Sequence, residues 1–162
     1  MILAIDPGNI ESAYVVIDEN LKPVEFGKFV NENVRCEARR LFNKYHPNIH
    51  VVIEMVASYG MPVGKEVFDT CVWIGRFYEL FGDGYVSFIY RKDVKLNICN
   101  DSRAKDKNIR QALIDRFAKH DFKNGKGTKR NPDWFYGFKA DIWQAYAVGV
   151  TYYDLKERGE SK

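Results

Sequence analysis

Three carboxylates sit where the pattern of the chain asks for something else. Asp6 closes a short apolar run, Ile2 to Ile5, and Glu54 falls within or at the end of another, Val51 to Met55. Asp141 lies where a C-terminal helix begins. Burying a lone carboxylate is costly unless its charge is compensated. A divalent cation does this most simply, and hard oxygen donors suit Mg²⁺ or Mn²⁺. Each acid also has an ordinary reading. Asp6 in Asp6-Pro7-Gly8 can build a turn, Glu54 can end an exposed strand or pair with a buried arginine, and Asp141 can complement a helix dipole.

The elements that must position these acids follow from periodicity. Ile2–Ile5, Ala13–Ile17 and 24–30 read as three strands joined by tight polar turns, an antiparallel meander. Val34, Ala38, Leu41, Phe42 and Tyr45 then mark one face of a helix that stops before Pro47. The unbroken apolar run Val51–Met55 suits a strand covered on both faces, as in parallel pairing. A helix opening at Pro62 carries Val63, Val67, Cys71, Ile74, Phe77, Tyr78 and Phe81, and Gly82-Asp83-Gly84 ends it. Tyr85–Tyr90 is a further strand. A shorter helix with Ile109, Ala112, Leu113 and Phe117 on one face follows the capping candidates Asp101 and Ser102. Residues 119–133 lack apolar periodicity and read as a loop of the kind that orders on binding a partner. The last helix is expected from Phe138 to about Lys156. Three strands followed by alternating strand and helix predict an α/β fold, a mixed sheet with helices on both faces.

The 162 residues, 46% hydrophobic and 15% aromatic, suffice for one domain with its own core, and no linker or repeat divides them. Cys36, Cys71 and Cys99 fit neither a disulfide framework nor a zinc site and read as small core residues in a reducing compartment. With no basic leader and no apolar stretch long enough for a membrane span, the chain is expected in the cytoplasm, away from membranes. Charge is uneven. Residues 1–90 hold 8 Lys/Arg against 12 Asp/Glu, whereas residues 91–130 hold 13 against 5. Such a basic segment can neutralise phosphates, the sequence-independent part of nucleic-acid affinity, or simply keep the protein soluble.

Taken in order, Ile5-Asp6-Pro7-Gly8, Ile53-Glu54 and Asp141-Ile142-Trp143-Gln144-Ala145-Tyr146-Ala147 resemble the RuvC family of Holliday junction resolvases, and the small size suggests its phage-encoded branch. The likeness spans nearly the whole chain, and its specificity lies in the order of three short motifs. It implies a ribonuclease H-like fold with a five-stranded mixed sheet, a homodimer, and cleavage of four-way and other branched DNA by hydrolysis. It also implies two divalent ions, Mg²⁺ with Mn²⁺ able to substitute, in the cytoplasm of a bacterial or phage-infected cell. Two such ions activate a water and stabilise both the phosphate and the leaving oxygen. Asp6 would bridge them, with Glu54 completing one site and Asp141 the other. In the family a further acid lies one helical turn before the last aspartate, where this chain has Phe138; Asp133 is the nearest substitute ligand.

The likeness assigns other residues too. Lys105 and Lys107 would lie near the scissile phosphate, where a cation steadies developing charge. Arg91, Lys92 and Lys95 would hold phosphates, as would Lys123, Lys126, Lys129 and Arg130 in the loop. Tyr59 and Met61, in the apolar loop after Glu54, would wedge between bases at the junction. The helix from Pro62, with Trp73, Phe77, Tyr78 and Phe81, would form the dimer interface, unless those side chains are plain core.

Two other classes compete. Sugar kinases and actin-like ATPases also open with a strand, an aspartate and a glycine, but they need two lobes and more residues. A ribonuclease H-like module that binds structured nucleic acid without cutting it would tolerate the acid missing at Phe138.

Overall fold

The computed structural model describes residues 1–159. β1 (Ile2–Asp6), β2 (Glu11–Ile17) and β3 (Pro23–Val30) form the expected meander, followed by α1 (Asn31–Tyr45) and β4 (His50–Met55). Then come α2 (Lys65–Phe81), β5 (Val86–Tyr90), α3 (Arg91–Cys99), α4 (Asp106–Phe117) and α5 (Ile142–Glu157). The five strands make one sheet in the order β3-β2-β1-β4-β5. The β1–β2 and β2–β3 pairs are antiparallel, and the β1–β4 and β4–β5 pairs are parallel.

Both faces of this sheet are covered, which is why the middles of its central strands, Ile2–Ile5 and Val51–Ile53, are apolar at successive positions. Successive strand residues point to opposite faces. Ile2, Ala4 and Val52 therefore pack with α4 and α5 on one side, while Leu3, Ile5, Val51 and Ile53 pack with α1 and α2 on the other. α5 lies close against the sheet at Gly149, where an added Cβ would come within 3.1 Å of both the Ala4 Cβ and the Ile17 side chain. Beneath the loop that leads into α5, the fully buried Phe138 packs edge-on against Phe26, Phe135, Trp143 and Tyr146. The position that the resemblance would fill with an acid is thus a core aromatic.

Several boundaries differ from the sequence reading. α2 starts at Lys65, capped by Gly64, so Pro62 belongs to the preceding loop. The unforeseen α3 buries only Val94 fully, too little apolar surface to show a period. Asp101 forms a turn through its bond from the Arg103 N–H, and α4 begins after Lys105, whose N–H is capped by Asn108 Oδ1 at 3.0 Å. Residues 138–139 are irregular and 140–141 form a turn, so α5 starts at Ile142 rather than Phe138. Cys36 and Cys71 are exposed rather than core residues, and Cys99 is half-buried against the core on the α5 side of the sheet. Among the described residues no helix is long and apolar enough to cross a membrane.

The segment 119–133 is held by two carboxylates without any partner. Asp133 accepts hydrogen bonds from the backbone N–H groups of Lys119, His120, Asp121 and Trp134 at 2.6–2.9 Å. Asp121 in turn accepts from Asn124, Lys126 and Gly127.

Candidate active site

Strand register builds the floor of the site. Ile5 pairs with Ile53, which sets Asp6 beside Glu54 at the carboxyl ends of two parallel neighbours. By the alternation above, both carboxyls face the α5 side, the parity of Ala4 and Val52. Asp141, immediately before α5, joins them, and all three line one cleft of about 420 Å³. This is where open α/β sheets place their ligands, outside the carboxyl ends of the strands.

Asp6 and Glu54 lie side by side by strand register, and Glu54 is 8% exposed. Burial, reinforced by the adjacent Glu54 and Asp141, raises the Asp6 carboxyl well above the usual carboxylate range. Burial also raises Glu54, against the opposing pull of Arg91. Arg91 Nη1 lies 3.5 Å from Glu54 Oε1, so the strand-end glutamate does pair with an arginine. Arg91 Nη2 bonds Asp106, a fourth carboxylate on the wall of the cleft that sequence reasoning missed. At the first position of α4, Asp106 reads as an ordinary helix-start acid. Asp141 is bound by Lys28 Nζ at 2.8 Å, and Lys28 also contacts Glu11 at 3.2 Å. The hydrogen bond to Asp141 raises the Lys28 ammonium.

Among the described residues, no three His, Cys, Asp or Glu side chains converge closely enough to enclose a metal ion. The donor set nonetheless fits one. Asp6, Glu54, Asp106 and Asp141 offer only hard oxygens, and Gln144, one turn after Asp141, adds a buried Oε1 with no hydrogen-bond partner. Adjacent carboxyls whose ionisation is disfavoured, with one guanidinium beside Glu54 and, among the described residues, none paired with Asp6, are the kind of group that a cation stabilises.

The other expected residues are dispersed. Tyr59 lines the cleft and is 59% exposed, in a turn whose central residues, Tyr59 and Gly60, both have positive φ. Lys92 Nζ lies 5.9 Å from its ring centroid. Met61 is 68% exposed but is not part of the cleft wall. Arg91 faces inward onto Glu54 and Asp106 rather than outward toward a phosphate. Lys95 is half-buried on α3. Lys107 borders a second depression shared with Asp141 and Gln144, whereas Lys105 is exposed at the start of α4 and lines neither. Lys123, Lys126, Lys129 and Arg130 lie on the ordered loop outside the cleft. Asp133 is not brought to the other acids, because its carboxylate is occupied by backbone donors. On α2, Phe77 and Phe81 are core, and the outward apolar pair is Phe68 and Val72.

The mixed sheet with helices on both faces is the ribonuclease H-like fold of RuvC. Two solved structures of Thermus thermophilus RuvC superpose over 99% of this chain. One, in complex with a Holliday junction substrate, has a TM-score of 0.64 at 13% identity and is itself covered to 97%. The other has a TM-score of 0.65 at 13% identity and is covered to 98%. A fowlpox virus resolvase with its substrate Holliday junction DNA matches over 95% of this chain and 99% of its own, at 18% identity and a TM-score of 0.49. No family model and no curated protein matches the sequence.

Proposed function

We propose that the protein is a metal-dependent endonuclease that cuts Holliday junctions and related branched DNA. The observation that carries this reading is the meeting of Asp6, Glu54 and Asp141 in one cleft, at the ends of β1 and β4 and the start of α5. The shared fold with RuvC supports it. When bound, Mg²⁺ or Mn²⁺ would supply a low-pKa water and charge stabilisation at the phosphate, through one or two ions. Asp6 and Glu54 would hold the ion at the sheet, and Asp141 would approach from α5, with Asp106 and Gln144 as further oxygen donors. Tyr59 stands exposed at the rim, where an aromatic face can stack on an unpaired base. The basic segment 91–130 would hold the phosphates, and Phe68 and Val72 would join two copies so that paired sites cut a symmetric junction.

A synthetic four-way junction incubated with the protein and Mg²⁺ or Mn²⁺ tests this directly. Metal-dependent incision near the branch point, lost in Asp6→Asn, is the expected outcome. Tight junction binding with no incision under any divalent ion would instead mark a binding module.

A further inference from the structure

Lys28 reaches Asp141, one of the cleft residues, from the sheet itself. Asp6 pairs with Ala13 and Ala13 with Lys28, so with Glu54 beside Asp6 the four residues form a row across β4, β1, β2 and β3. Their shared parity turns them all toward α5. Ala13 is fully buried and ends in a methyl group, which leaves the lane between Lys28 and the acids low. The Lys28 side chain is 24% exposed, whereas its partners Asp141 and Glu11 are 50% and 49% exposed. The ammonium is therefore the settled member of the trio, with a carboxylate on each side at 2.8 and 3.2 Å.

Among the described residues three ligands do not converge, and the Asp141 carboxylate, though it lines the cleft, is bound by the ammonium at 2.8 Å. We propose that Lys28 is a positioning residue for Asp141, holding its carboxylate off the metal position and yielding it to an entering divalent cation while keeping Glu11 as its remaining partner. The inference rests on the metal-site reading above. A divalent cation and an ammonium compete for the same oxygens, and the double charge favours the metal at short range. Displacing Lys28 nevertheless costs affinity, and Glu11 lowers that cost by offering the ammonium a second carboxylate.

Calorimetric titration of the DNA-free protein with Mn²⁺ separates this device from general electrostatics. Lys28→Met is expected to tighten Mn²⁺ binding about two- to fivefold, the scale of one half-exposed ion pair. Glu11→Gln is expected to weaken it by a similar factor, because Lys28 then spends itself wholly on Asp141. In the Lys28→Met background, Glu11→Gln should have no further effect. A long-range charge effect would persist there, and the double-mutant cycle reads the difference. Both side chains are at the surface, and circular dichroism of each variant confirms the fold. Mn²⁺ binding by the native chain that Lys28→Met leaves unchanged, or an undiminished Glu11→Gln effect in the double variant, overturns the inference alone. Absence of Mn²⁺ binding by every chain overturns the metal-site reading, and the inference with it.

Discussion

Arg91 Nη1 lies 3.5 Å from Glu54 Oε1 while Nη2 bonds Asp106, so one guanidinium spans a buried acid on the sheet and an exposed acid on α4. Removing it leaves Glu54 buried without its cation. Arg91→Met should destabilise the metal-free protein by about 2 kcal/mol, below the value for a wholly buried pair because Arg91 is partly exposed. If Glu54 also binds the ion, Mn²⁺ supplies the missing charge and part of that loss returns. Melting curves with and without Mn²⁺ check this, and an equal loss in both would remove Glu54 from the ligand set.

Asp6 sets a trade between stability and function. Its folded pKa is raised by burial and by Glu54, so its contribution to stability is fully present below the unfolded value near ~4 and is lost as pH rises through the folded value. The metal-free protein should therefore lose Tm as pH climbs above about 4, and a bound cation should offset that loss. Asp6→Asn should flatten the slope and raise the metal-free Tm at neutral pH by ~2–4 °C. It should also reduce cleavage by at least about 100-fold, more than an outer contact to a metal ligand usually commands. Tm against pH in chelator, beside single-turnover cleavage, reads both effects. A destabilised but active Asp6→Asn would contradict them.

Asp133 should act on stability with the opposite pH sign. Although burial raises its carboxyl, four backbone N–H donors more than outweigh this and hold it well below the usual range. Its stabilisation is present above the unfolded value and disappears as pH falls below about 4 toward the folded one. Asp133→Ala should cost roughly 2–3 kcal/mol, since buried N–H groups lose their acceptor. Hydrogen exchange should quicken across residues 119–134. Because Asp133 takes no part in the cleft, Mn²⁺ affinity should be unchanged, and a large loss of metal binding would return it to the site.

How much of this was legible in the sequence depends on the range of the interactions involved. β1 and β4 each read as a short unbroken apolar run with an acid at or near its end, which five residues suffice to show, whereas the shared face of Asp6 and Glu54 follows from the strand register. Asp141 was readable as a helix-start acid. Lys28 was not, because a lysine on an edge strand looks like solvent-facing alternation until register places it in line with Asp6. Asp133 looked like a free acid in a loop because three of its four donors lie 12–14 residues away. Phe138 fell where the resemblance expected an acid, and only packing shows the pocket of aromatics that it fills.

The dimer surface can be tested separately from catalysis. Phe68 and Val72 are one turn apart on α2 and are 61% and 57% exposed, while Phe77 and Phe81 are committed to the core. If α2 joins two copies, Phe68→Asp with Val72→Asp should shift sedimentation to a monomer at micromolar protein, with little change in Tm because neither side chain is buried in one chain. Mn²⁺ binding should survive, and paired incision of a junction should become single nicks. A native chain that sediments as a monomer and still makes paired cuts would rule this surface out.

Residues 91–130 carry the excess positive charge, yet their lysines occupy different places. Lys123, Lys126, Lys129 and Arg130 lie on the carboxylate-held loop, whereas Lys107 borders the depression it shares with Asp141 and Gln144. If the loop residues sit on phosphates, log affinity should fall linearly with log salt, and removing one of them should flatten the slope by about one while weakening duplex and junction alike. Lys107→Ala should instead lower the single-turnover rate on saturated junction more than it lowers affinity, because a cation near the reacting phosphate acts chiefly in the transition state. Lys105, at the α4 N-cap and outside both depressions, should behave as a phosphate contact at most. Saturated cleavage rates and binding at several salt concentrations, measured for Lys105→Ala, Lys107→Ala and Lys129→Ala, separate these roles. A Lys107→Ala protein that cuts at the native rate would confine that lysine to the surface, and a flat salt dependence would remove the segment from the DNA interface.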